Sequence, residues 1–149
     1  QPMIVRTVLS GDTVVLTSAR PGAQVQLWGD LTVRLIGLDA PDLAPVVECF
    51  AAEAQGGLGA MLPEGSLAWV TTNEQGDSGG IWSMYVWDSE GRFVNQTLAE
   101  QGLARASDFS ERGPLYPLIA QATEEAYRRG QGLWGWHESA QSPCQWPEA

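Results

Sequence analysis

Short segments rich in β-branched and aromatic residues, each bounded by Gly, Pro, Asp or Ser, fill much of residues 4–87 and restrict the chain to a small, strand-built domain. Ile4 to Val8 and Thr13 to Leu16 are strands joined by the turn Ser10-Gly11-Asp12, and Ala19-Arg20-Pro21-Gly22 is a second turn. Val25 to Leu27 is a weaker candidate. Thr32 to Leu38 is a strong one, and Pro41 ends it, because proline cannot donate to a ladder and steers its predecessor to extended geometry. Ser66 to Thr72 and Ile81 to Trp87 complete the set, with the polar stretch Asn73 to Gly80 read as the loop between them. Helical patterns follow at Val46 to Met61, Val94 to Gln101 and Leu115 to Arg129, the last two stopped by Gly102 and Gly130. About five strands with some three helices predict a mainly β, α+β domain built on a five-stranded barrel such as the OB-fold. No repeat, low-complexity tract or linker divides residues 1–149, so one domain is expected.

Charge narrows the functional classes. All eight basic residues are arginine, eighteen residues are acidic, and the formal net charge is −10. Affinity for nucleic acid rests largely on counterion release by Lys and Arg, so indiscriminate gripping of a polyanion is disfavoured. No run of apolar residues is long enough for a transmembrane helix. The chain starts at Gln1 and enters a strand almost at once, with no leader in this sequence; export with a leader removed is the expectation that goes with this abrupt start. The two cysteines, Cys49 and Cys144, either pair, as an oxidising compartment would allow, or remain two buried thiols. A bridge would close a loop of about 95 residues and contribute roughly 4–5 kcal/mol in the chain-entropy account.

Three segments gather residues with chemistry near strand ends: Ser10 to Leu16, Val33 to Asp42, and the acidic stretch Glu74 to Gly80. Asp12 and Asp39 offer oxygen ligands suited to a hard cation. Arg34 suits a phosphate, and Asp42 suits a general base. The structural alternative is that these aspartates cap turns and Arg34 points to solvent.

The order of several motifs favours chemistry. Gly11-Asp12-Thr13-Val14-Val15-Leu16, then Val33-Arg34-Leu35-Ile36-Gly37-Leu38-Asp39-Ala40-Pro41-Asp42, resembles the signature of the staphylococcal nuclease family. Glu48 to Ala54, Val94 to Arg105 and Ala120 to Gly135 agree in order and spacing, so the likeness runs from about residue 5 to 135, leaving 136–149 as an irregular tail. The resemblance implies an OB-fold barrel that hydrolyses phosphodiester bonds of DNA or RNA with Ca²⁺. It implies that Asp12, Asp39 and the carbonyl of Ala40 hold the metal, that Arg34 clamps the phosphate, and that Asp42 stands where the family has its glutamate base.

Two departures weaken that site. The family's second arginine falls in a stretch aligned here with Asp77 to Tyr85, which puts Ile81 at the clamp position. An arginine supplying charge to a phosphoryl transition state is worth about 10³–10⁵ in rate. Arg92 follows a turn at the strand's other end, and neither it nor Arg105 is expected to take over. Asp42 is a methylene shorter than glutamate, and a misplacement near 1 Å costs about 10². Low or absent nuclease activity is therefore expected, with a non-catalytic protein-binding or assembly module on the same fold as the alternative. For that role Trp82 and Trp87 are the candidate partner surface, against core packing as the plainer reading of the seven tryptophans.

Two further signals are discounted. Gly76-Asp77-Ser78-Gly79-Gly80 mimics a serine-protease motif, but the one histidine, His137, lies downstream of the serine. Asn95-Gln96-Thr97 is a formal glycosylation sequon at the start of an expected helix, where coincidence explains it better.

Overall fold

A computed structural model describes residues 1–18, 29–44, 48–107 and 113–138, with 73–78 and 136–138 described by backbone alone. Its strands are β1 (Pro2–Val8), β2 (Thr13–Ser18), β3 (Leu31–Leu35), β4 (Leu38–Asp39), β5 (Leu67–Ser78), β6 (Ile81–Trp87) and β7 (Arg105–Ala106). The helices are α1 (Ala51–Met61), α2 (Val94–Glu100), α3 (Tyr116–Arg129) and α4 (Leu133–Glu138). Five strands close a barrel in the order β1-β2-β3-β6-β5, and β4 and β7 form a separate two-stranded ribbon. Every neighbouring pair in the barrel is antiparallel except β3 with β6.

Period-two alternation explains why the sheet closes. Met3 and Val5, Val14 and Leu16, Val33 and Leu35, Ala68 and Val70, and Met84 and Val86 all point inward and are buried. The helices lay Ala54, Leu58, Leu98, Ile119 and Ala122 on the same core. Asn95, fully buried at the start of α2, stitches helix to barrel. Its Oδ1 accepts the Val86 N–H at 3.0 Å and its Nδ2 donates to the Ile36 carbonyl at 2.8 Å. Both halves of the amide are thus spent inside the protein, which gives the sequon a structural explanation.

The structure departs from the sequence reading in several places. The stretch 73–80 is not a loop as expected: β5 continues to Ser78 and turns into β6 through Gly79 and Gly80 alone. Both glycines have positive φ, 60° and 84°, as the tight hairpin turn with the right twist requires. An irregularity in register between Thr72 and Asp77 absorbs the mismatch. The single strand expected over 32–38 is split after Leu35, where Gly37 takes φ 81° and redirects the chain into β4. The first helix starts at Ala51, since Phe50 sits in the left-handed region at φ 70°. Helix α4 was not anticipated. It buries Trp134, whose ring meets Tyr127 edge-on at 5.4 Å. The weak strand candidate Val25 to Leu27 lies outside the described residues.

Candidate functional site

The site lies where the β1–β2 turn, the end of β3 and the β4–β7 ribbon meet. Asp12 follows the turn Ser10-Gly11 and is buried to 5% exposure. A carboxylate at that depth must be satisfied. Its Oδ1 accepts from the hydroxyls of Thr13 at 2.9 Å and Ser10 at 3.1 Å, and its Oδ2 accepts the Ala40 N–H at 3.0 Å. The last bond places Ala40, itself buried, beside Asp12 across 28 residues of sequence.

Arg34 stands on the outer face of β3, between Thr13 of β2 and Ser83 of β6. One of its terminal nitrogens, Nη2, lies 3.8 Å from Asp12 Oδ2 and 3.9 Å from Asp39 Oδ1. Two carboxylates separated by 27 positions in sequence therefore converge on one cationic atom, while the Arg34 side chain remains 53% exposed. Asp39 meets a second guanidinium: Arg105, paired with it across the β4–β7 ribbon, puts Nη2 3.5 Å from Asp39 Oδ2. Burial pushes the Asp39 carboxyl above its ordinary range; Arg105 and Arg34 pull it down, while Asp12 and Asp42 push it up.

Asp42 is exposed at the rim. Its N–H donates to Glu48 Oε1 and its carbonyl accepts the Glu48 N–H, both at 2.7 Å, a reciprocal clasp between the two residues. Partial desolvation raises its carboxyl above the usual range, Glu48 and Asp12 add to the rise, and Arg34 opposes it. Ile81 opens β6 with 45% exposure, in register with Thr32 and therefore two residue pairs along the ladder from Arg34–Ser83, on the same face.

Chemically, the arrangement offers two convergent carboxylates, an exposed arginine and a rim carboxylate of raised pKa. Asp12 and Asp39 offer oxygen donors of the kind a hard divalent cation takes. No group of three or more His, Cys, Asp or Glu side chains suited to a metal occurs among the described residues, so backbone carbonyl and water would complete the coordination. Of the other expected residues, Trp82 and Trp87 are partly buried against the core, and Trp87 stacks on Phe93 at 5.0 Å. Arg92 is engaged 2.7 Å from the buried carboxylate of Asp88. Cys144 lies outside the described residues, and no cysteine among the described ones is free. Arg105 is the residue that sequence reasoning discounted; it opens β7, just after Gly102-Leu103-Ala104, and is brought to Asp39 by the β4–β7 ribbon.

A closed five-stranded mixed barrel carrying this carboxylate and arginine cluster defines an OB-type nuclease-like domain of the α+β class. The family model described as "Staphylococcal nuclease homologue" matches residues 32–136. A similar protein, the "Thermonuclease" of Staphylococcus intermedius, is 29% identical over 134 residues, spanning 88% of this chain and 74% of that protein. The chain belongs to the staphylococcal nuclease family. No helix among the described residues is long and apolar enough to cross a membrane.

Proposed function

We propose that this chain is a Ca²⁺-dependent phosphodiesterase of nucleic acid whose rate is lowered by its clamp and its base. The observation that carries the reading is the convergence of Asp12 Oδ2 and Asp39 Oδ1 on the same Arg34 nitrogen. A bound Ca²⁺ would polarise a phosphoryl oxygen and offset developing charge. Asp12, Asp39 and the Ala40 carbonyl are the groups suited to hold it. Arg34, more than half exposed, is free to swing to the phosphate while keeping its charge at the site. Asp42 accepts the proton of the attacking water, its raised pKa making it a better base than an ordinary aspartate. As the new P–O bond forms, one ester P–O bond breaks and the leaving oxygen takes a proton from solvent.

Attenuation follows from Ile81, which has neither donor nor charge, and from the shorter reach of Asp42. Export and a Cys49–Cys144 bridge belong to the same reading, supported by the lack of a free cysteine among the described residues. The exposed apolar side chain of Ile81 beside the site, with the net charge of −10, favours a second reading as a binding module that cleaves nothing. Digestion of single-stranded DNA with Ca²⁺ or with chelator separates the two. Slow cleavage that needs Ca²⁺ supports the enzyme; no cleavage above a buffer control even after prolonged incubation supports the module.

A further inference from the structure

The loss at Ile81 leaves the β6 side of the site without a cation, yet a guanidinium approaches from another strand. Arg105 lies opposite Asp39 in the β4–β7 ribbon, and its Nη2 is 3.5 Å from Asp39 Oδ2 while that of Arg34 is 3.9 Å from Asp39 Oδ1. Two arginine heads thus bracket one carboxylate from its two oxygens. The Arg105 side chain is 22% exposed, against 53% for Arg34. Its charge is the less screened of the two, and part of the entropy of ordering it is already spent in the folded protein.

Charge balance says what such a pair is suited to. The charged groups acting on Asp39 are Arg105, Asp12, Arg34 and Asp42. Glu48 in turn acts on Asp42, so among the described residues four carboxylates with two guanidinia leave two negative charges, which a divalent cation would just offset. Remove Arg105, and the same cluster with its cation keeps one negative charge, which repels a phosphodiester. In a chain of net charge −10, each guanidinium held at the site offsets repulsion that a polyanion would otherwise meet.

Resting on the phosphodiesterase reading, we propose that Arg105 is the second phosphate-binding arginine of this protein, delivered from β7 in place of the position now held by Ile81, and that its ligand is a phosphodiester of a single nucleic-acid strand. The probe is a fluorescent phosphorothioate oligothymidylate, which resists cleavage. Its affinity is measured by anisotropy in Ca²⁺ across a KCl series for the natural chain, Arg105→Gln, Arg105→Lys and Arg34→Gln. A phosphate contact on a single strand contributes about 0.7 to the slope of log affinity against log salt. Arg105→Gln is expected to weaken binding about tenfold and to flatten the slope by about 0.7, as Arg34→Gln does, and Arg105→Lys to restore the slope. If Arg34→Gln flattens the slope and Arg105→Gln leaves it unchanged, Arg105 only props Asp39 and the inference fails alone. If the natural chain does not bind the probe in Ca²⁺, the phosphodiesterase reading fails and takes this one with it.

Discussion

Restoring charge at the first residue of β6 probes the site most sharply. Ile81 is 45% exposed on the outer face of the barrel, in register with Thr32, so it lies two residue pairs along the ladder from Arg34–Ser83 and on the same face. An arginine there projects on the same side as Arg34 and meets a phosphate that Arg34 holds. At about 4 Å and an effective dielectric constant near 20, one charge pair is worth about 4 kcal/mol. Half-exposure to water and the extra cation already at Arg105 reduce this to about 2–3 kcal/mol, or roughly 30- to 150-fold in rate. The stability cost is small, about 0.5 kcal/mol, because the replaced side chain is surface-exposed. The assay is single-turnover cleavage of a fluorophore–quencher oligothymidylate with saturating Ca²⁺, comparing the natural chain, Ile81→Arg and Ile81→Gln. The glutamine variant has a donor without a charge and should stay within about threefold of the natural chain. A folded Ile81→Arg protein that also stays within threefold would refute the claim that missing charge at this position limits the rate.

Two further outcomes test the scaffold and its ionisation. Asn95→Leu removes the partners of the buried Val86 N–H and Ile36 carbonyl, and should lower stability by about 2–5 kcal/mol in urea unfolding; a loss under 1 kcal/mol would mean that the stitch between α2 and the barrel is dispensable. The Asp39 carboxyl is raised chiefly by burial, so its folded form prefers the proton. Its contribution to stability is complete below the ordinary carboxylate pKa and is lost as pH rises through its raised folded value. The metal-free natural chain should therefore lose stability relative to Asp39→Asn as pH climbs from about 4 to 7. A difference that is flat, or that grows in favour of the natural chain, contradicts this.

How much of this could be read from residues alone depended on whether the determinant was local. The barrel strands carry their own alternation, and Asp12, Arg34 and Asp39 sit in contiguous motifs, so their placement was legible before any coordinates. The polar composition of Asn73 to Ser78 reads as loop because its strand character comes from pairing with β6, a contact between segments that local propensity does not encode. The break at Gly37 is similarly hidden: Leu35 and Leu38 are both apolar, and only the backbone angle between them divides the strand. The approach of Arg105 to Asp39 was hidden for a topological reason. Arg105 is 66 residues from Asp39, and only the short β4–β7 ribbon brings the two together. Trp82 and Trp87, offered by the sequence either as core or as a partner surface, are partly buried against the barrel core.

In the proposed function Asp12 and Asp39 would jointly hold a divalent cation. Isothermal titration of Ca²⁺ into the natural chain, Asp12→Asn and Asp39→Asn measures this without reference to any substrate. One site is expected in the natural chain and a loss of at least about tenfold in affinity in each variant, with unfolding midpoints showing that both variants remain folded. Ca²⁺ binding that persists unchanged in both variants, or no binding in the natural chain, contradicts it.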